Sequence, residues 1–354
     1  MCIIQYREEP LTIKELAKIA GLNHSTVSRS LNNSPLISDE TKKRVLKLAE
    51  EYDFELNASA RGMRTNKTGT IGVIFPVIRD RYRDMQYLGS LMNTLRYTIE
   101  EEQYDSIITM PVNPVTGKSN IRKLIQQHKV DGLLLVLQDL EADDREILEE
   151  SKMPFVSLHF KWQSGYKADD NYVYPDNYKG GYLAAECLLD TGCRKLITLT
   201  EPGGLYEFEE RTRGYLKAQR DRGIDAAENC IFFGETGFDF GYSFIMENLS
   251  LLRDVDGIFA QADMNAIGVI EALKESGLRV PGDIAVVGYD DIDIDYFFKP
   301  RLTTIHQPRE EYTEIACRKL IELIENKEET QLVQRVIEPN LLIRESCVNK
   351  DEIK

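Results

Sequence analysis

No run of roughly 18 uncharged apolar residues occurs in this sequence, so it holds no segment able to cross a bilayer as one helix. The amino-terminal MCIIQYREEPL is apolar for only a few residues before charge begins, and no secretory signal is expected there. Cysteine is sparse. Cys2, Cys187, Cys193, Cys230, Cys317 and Cys347 lie far apart with no C-x-x-C pair, which argues against a disulfide framework or zinc site and for reduced, packed thiols in a cytoplasmic protein. The four histidines (His24, His128, His159, His306) show no metal-ligand spacing. No G-x-S-x-G elbow or catalytic triad is found. No G-x-G-x-x-G follows a strand-like run, and PVTGKS (Pro114 to Ser119) lacks the glycine that a phosphate-binding loop needs where Val112 stands, so it reads as a loop and helix start. Asp290, Asp291, Asp293 and Asp295 cluster, but such spacing is cheap, and a solvated loop is expected. The sequence thus points to no catalytic residue, no metal and no cofactor.

Positive charge is also in short supply. Forty-four Lys and Arg face 59 Asp and Glu, a net charge of -15. The imbalance is uneven: Leu11 to Lys67 carries ten basic and seven acidic residues, whereas Thr68 onward carries 33 and 50. A Debye length near 8 Å at physiological salt screens most of the acidic body from a small basic head. Acidity of the whole therefore does not exclude DNA. At 354 residues with 42% hydrophobic content, the chain is long enough for two or three folded domains.

What is present begins with a helical head. Thr12 and Glu15 form a capping box, and Ile13, Leu16, Ala17 and Ala20 make one apolar stripe that Gly21 ends. Asn23 can cap a second helix, with Val27 and Leu31 inward and His24, Ser25, Ser28 and Arg29 outward. Ser38 caps a third, whose inner face would be Val45, Leu48, Ala49 and Tyr52. Helix, glycine turn, helix is the helix-turn-helix unit, whose second helix enters the major groove. Arg29 suits guanine or phosphate, and His24 and Ser25 suit base edges or backbone. The plain alternative is a small helical bundle with a solvated polar face. Asn57 to Met63 can form one more short helix, followed by a basic linker from Thr65 to Gly69.

Beyond the linker, β-branched apolar runs (TIGVIF, SIITM, DGLLLVL, PFVSL, KLITLT, DGIFA, DIAVVGYD) alternate with segments of helical length such as NIRKLIQQHK and NAIGVIEALKESG. That is the βαβ pattern of parallel sheets covered on both faces, and its repetition predicts two doubly wound subdomains with a ligand cleft between them.

TIKELAKIAGLNHSTVSRSLN, the hinge-like NASARGM, and later DNYKGGYLAAECLLDTG, RTRGYLKAQ, VPGDIAVVGYDDI and PRLTTIHQP together resemble the LacI/GalR family of bacterial transcription regulators over nearly the whole chain. The resemblance implies an all-α helix-turn-helix head at 11–56, a hinge helix and linker at 57–69, and an α/β periplasmic-binding-protein-like body at 70–346. That body would have two doubly wound parallel-sheet lobes, approximately 70–170 with 300–328 and 171–299 with 329–346. It implies DNA contacts from Thr12, His24, Ser25, Thr26, Ser28, Arg29 and Asn32. In the hinge it implies contacts from Asn57, Ala60, Arg61 and Arg64, with Met63 as the apolar wedge of the minor groove. In the cleft it implies effector contacts from Tyr82, Arg83, His159, Arg211, Asp263 and Asp290, although Asp263 can instead serve to start its helix. Taken without the resemblance, Arg211 and Asp290 read as surface ion-pair residues.

Some positions depart from the family pattern. Ala262 replaces an asparagine, His159-Phe160 stands for Asp-Arg, and Tyr82-Arg83 replaces two phenylalanines. Arg83, Arg211 and His159 would make the cleft basic, so the expected effector is an anionic sugar, a sugar acid or sugar phosphate, over a neutral hexose. The expected whole is a homodimeric repressor of carbohydrate-utilisation genes acting on a palindromic operator, not an enzyme. Only VNKDEIK follows the last strand, so no tetramer-forming tail is expected. A cytoplasmic sugar-binding protein or sugar-active enzyme on the same fold is the alternative.

Overall fold

The computed structural model describes residues 11–31, 34–52, 54, 67–76, 85–225, 230–325 and 331–348. The chain divides into two compact units, Met1–Gly69 and Thr70–Lys354.

The first unit holds three helices, α1 (Ile13–Ala20), α2 (His24–Leu31) and α3 (Asp39–Glu51). Both the amide and the hydroxyl of Thr12 donate to Glu15 Oε2 at 2.8 Å, and the Glu15 amide donates to Thr12 Oγ1 at 3.3 Å. Gly21, at φ 65°, turns the chain in a conformation that a side chain disfavours. Leu16, Ala17, Ala20, Val27, Val45 and Ala49 close a small core. Arg44 donates to the Ala20 carbonyl at 2.6 Å, tying α3 to the end of α1. Tyr52 does not join the inner face as expected: it is 45% exposed, because α3 ends at Glu51 and Tyr52 already leaves the helical path.

The second unit contains twelve strands and eight α-helices among the described residues. The first lobe contains β1 (Thr70–Ile74), α4 (Met85–Glu101), β2 (Asp105–Thr109), α5 (Asn120–Gln126), β3 (Gly132–Leu135), α6 (Ala142–Ser151), β4 (Phe155–Leu158) and β5 (Tyr172–Pro175). The chain then enters the second lobe with α7 (Asn177–Asp190), β6 (Leu196–Thr200), α8 (Tyr206–Asp221), β7 (Ile231–Phe233) and α9 (Phe238–Glu247). That lobe continues through β8 (Gly257–Ala260), α10 (Asp263–Glu275), β9 (Ala285–Asp290) and β10 (Thr303–His306). Helix α11 (Arg309–Glu325) and β11 (Gln334–Ile337) return to the first lobe, and β12 (Asn340–Leu342) ends in the second. Sheet order is β11-β5-β4-β3-β1-β2 in the first lobe and β12-β10-β9-β8-β6-β7 in the second. Among the described strands only β12 runs antiparallel, against β10. Central strands such as β3 and β8 are buried at every residue, as parallel sheets clad on both faces require.

The lobe limits differ from the expected ones at three strands. β5 and β11 extend the first sheet and β10 lies inside the second. The pattern is common to all three: the chain leaves each sheet only after a strand has run to its carboxyl end, so each crossover falls one strand later than the expected boundary. Ser119 caps α5 by accepting from the Arg122 amide at 3.1 Å, which makes PVTGKS a loop and helix start.

Candidate functional site

The carboxyl ends of both sheets open onto one cavity of about 870 Å³. Arg211 reaches it from α8. Its Nε donates to Asn177 Oδ1 at 2.9 Å and its Nη1 to the Gln261 carbonyl at 2.7 Å, while the guanidinium lies 3.7 Å from the centre of the Tyr289 ring. Two side chains and a strand end therefore fix the fork. Asp290 ends β9 at φ 124°, and Asp291 follows at φ 55°. This strained pair turns the Asp290 carboxyl into the cleft, where Oδ1 accepts from Gln307 Nε2 at 2.7 Å. Burial pushes its pKa up to about 7 against the lowering pull of Arg211.

His159, at φ 73°, also lines the cavity. It is 4% exposed, its Nδ1 is 3.2 Å from the Tyr312 hydroxyl, and Tyr312 in turn is 2.5 Å from the Tyr87 hydroxyl. Burial, helped by Arg211, drives the His159 pKa down to about 3. The imidazole is therefore neutral. Hydrogen bonds cross between the lobes: Lys161 Nζ donates to the Tyr206 hydroxyl and Gln163 Nε2 to the Gly204 carbonyl, both at 3.0 Å, and Arg309 Nη1 donates to the Asp290 carbonyl at 3.3 Å.

Of the expected cleft residues, the structure brings His159, Arg211 and Asp290 together. Asp263 is not among the lining residues. It is fully buried at the first position of α10, where Oδ1 accepts from Thr304 Oγ1 at 2.6 Å and Oδ2 from the Ile292 amide at 3.2 Å. Its carboxyl is spent on joining α10, β10 and the turn after β9, and it makes no capping bond to its own helix. Tyr82 and Arg83 lie outside the described residues. Nor is the aspartate loop solvated. Asp291 is paired with Arg344 and with His306 Nδ1, and Asp295 is fully buried with its pKa raised to about 11 by burial and by Asp263. No cluster among the described residues can hold a metal ion.

The wall is acidic among the described residues; of the three residues expected to make the cleft basic, Arg211 lines it, His159 is neutral and Arg83 lies outside the described residues. Glu201, Glu207, Glu235 and Asp290 line it, against Arg211 as the one cationic side chain among the described lining residues. The sequence reading missed the three glutamates because single acids in loops resemble solvated surface. Their signal was position: Glu201 and Glu235 sit at or just beyond the carboxyl ends of β6 and β7, where ligands of such sheets bind. Phe160 and Phe208 add apolar faces, as Ala262 and Met264 add smaller ones.

In the head, α2 presents His24, Ser25 and Arg29 to solvent, with Thr26 and Ser28 half-buried. Thr12 is committed to its cap. Asn32, Asn57, Ala60, Arg61, Met63 and Arg64 lie outside the described residues.

Residues 12–57 match the model of bacterial regulatory proteins of the lacI family, and residues 185–347 match that of a periplasmic binding protein-like domain. The chain is 30% identical over 352 residues to the HTH-type transcriptional regulator CelR of Thermobifida fusca, covering 97% of this chain and 100% of the relative. The chain belongs to the LacI family of bacterial regulatory proteins. A second relative, the HTH-type transcriptional repressor PurR of Edwardsiella ictaluri, is 30% identical over 96% of this chain and 97% of its own. A solved complex of transcriptional regulator CelR with cellobiose superposes with a TM-score of 0.68 at 26% identity, covering 95% of this chain and 99% of that one. Like its LacI-family relatives, the chain is a DNA-binding transcriptional regulator, with the head as its DNA-binding unit and the two-lobed body as its periplasmic-binding-protein-like one.

Proposed function

We propose that this regulator represses carbohydrate-utilisation genes as a homodimer, and that a carbohydrate bound between the lobes sets its operator affinity. The observation that carries the effector assignment is the cavity itself. Its size falls toward the upper end of the roughly 300–1,000 Å³ typical of small-molecule sites, and it combines aromatic faces with a fixed arginine fork and carboxyl acceptors. Sugars need that combination, because a ring offers an apolar face and a rim of hydroxyls. Arg211, Asp290 and His159 are the contacts we assign to it. A regulator with cellobiose in its structure has the same fold, which supports a ligand of more than one ring. In the head, His24, Ser25 and Arg29 read the major groove, while Arg29, Arg61, Arg64 and Lys67 engage phosphates and Met63 wedges the minor groove. Such a protein works where the chromosome lies. We read the cleft as a binding site and not a catalytic one, since Arg211, Glu201 and Asp290 are each held by structural partners.

Selection of random duplex DNA on the purified protein, with and without a sugar panel, tests this. A palindrome recovered only without the sugar supports an inducer-controlled repressor. A palindrome needing the sugar makes the ligand a corepressor. No enriched sequence under either condition sinks the proposal.

A further inference from the structure

We propose that the effector carries a protonated amine, as an amino sugar or a short oligomer of one, and that this amine docks on the wall formed by Glu201, Glu207 and Glu235. The inference rests on the carbohydrate reading of the cleft. It starts from charge. Four carboxyl side chains face one guanidinium among the described lining residues, and that guanidinium already spends Nε and Nη1 on Asn177 and Gln261. An acidic wall alone would mean little. Glu207 adds an independent observation: it lines the cavity, is only 4% exposed, and its Oε1 has no hydrogen-bond partner. A buried carboxyl oxygen without a donor is expensive, and a ligand donor removes that penalty.

The three glutamates come from separate segments. Glu201 follows β6, Glu207 lies in the first turn of α8, and Glu235 follows β7. Glu201 is held in place by the Thr236 amide at 2.5 Å and by the Thr236 hydroxyl, which brings it beside the loop that carries Glu235. The wall is thus built at the carboxyl ends of adjacent strands, where the fold binds ligands. It is no metal site, since no described cluster of acids or histidines converges enough to hold an ion. Spaced acceptors instead fit an extended donor set. Plain hydroxyls supply donors but no charge, so a neutral sugar leaves the acids uncompensated when the lobes exclude water. An ammonium group answers both needs.

Calorimetry on the full-length protein with four β-1,4-linked disaccharides tests this: glucosamine dimer, N-acetylglucosamine dimer, cellobiose and a uronic-acid disaccharide. Spermidine serves as an amine without a ring. The free-amine dimer should bind at least about tenfold tighter than cellobiose, with the acidic disaccharide weakest. In Glu207→Gln the ratio of the two affinities should fall toward one. The exposed Glu235→Gln, which leaves the fold little to lose, should reduce it about threefold. Cellobiose or the N-acetylated dimer binding as tightly as the free amine overturns this inference and leaves the carbohydrate reading standing. Tightest binding of spermidine overturns the sugar half of it. No binding by any disaccharide overturns both readings together.

Discussion

Asp290 shows how much one residue of this cleft is asked to tolerate. Its backbone is in a region that favours glycine, and its carboxyl is driven up to about 7 by burial although Arg211 opposes the shift. An unfolded aspartate titrates near 3.9. The folded protein therefore holds this proton more tightly than the unfolded chain does. The stability linked to it is complete below about pH 3.9 and is lost as pH rises through about 7. Asp290→Asn should accordingly leave stability little changed at pH 4 and raise it at pH 8. Three pK units would be about 4 kcal/mol, but partial solvent access reduces the expected gain to about 2 kcal/mol. The same change should weaken effector binding at least about tenfold, because the anionic acceptor is lost. Thermal melts of both proteins at the two pH values check the first half, and calorimetry checks the second. A variant no more stable at pH 8 would show that Asp290 is not strained by burial. Arg211 and Asp290 were legible as cleft residues because both sit in family blocks of the sequence. The electrical sign of the cleft was not, since it depends on which loop glutamates converge and on burial that strips His159 of its charge.

Elements carried clearer signals than single residues did. The helix-turn-helix was legible down to its capping box, and seven strand runs were visible as β-branched stretches. The strands passed over were short, polar or at sheet edges. β7 is three residues long and nowhere fully buried, β11 exposes most of its residues, and β10 opens with two threonines that are fully buried. A tertiary demand that periodicity does not show is the contact of α7 with α8. A Cβ on Gly181 would stand 1.9 Å from the Arg211 carbonyl oxygen, and one on Gly214 would stand 1.9 Å from that of Tyr178. Helix backbones can approach this closely only without side chains between them. Gly181→Ala must therefore push α8 outward at Arg211, the residue we assign to the effector. We expect a loss of about 1–3 kcal/mol in urea unfolding together with weaker effector binding. Intact affinity in a destabilised variant would mean that Arg211 is positioned by Asn177 and Gln261 alone.

At the scale of the molecule, the separation of charge explains how an acidic chain serves as a DNA-binding protein, and the same separation limits what one head can achieve. The segment from Leu11 to Lys67 has an excess of only three positive charges, so a single head offers few phosphate contacts. Two heads on one palindrome overcome this, because the second binds at the effective concentration set by the first. The body must then hold two copies together. On the second lobe, Ile294, Tyr296 and Phe297 stand 37%, 56% and 81% exposed within four residues, and Arg344 lies 4.3 Å from the centre of the Tyr296 ring. Exposed aromatic clusters of this kind mark interaction surfaces. If this is where copies meet, Phe297→Glu places a charge in an apolar contact on both sides of the twofold axis. Sedimentation velocity should then show a monomer at about micromolar concentration, where the proposed homodimer predicts a dimer for the unmodified chain. Operator affinity should fall at least about 100-fold and its salt dependence should become shallower, since half the phosphate contacts go with the second head. Calorimetry should still find one effector site per chain, which separates lost assembly from lost folding. A variant that remains dimeric and keeps its operator affinity would move the contact elsewhere on the body. A monomer that keeps full operator affinity would be the more serious result, because it would remove the reason for the palindrome.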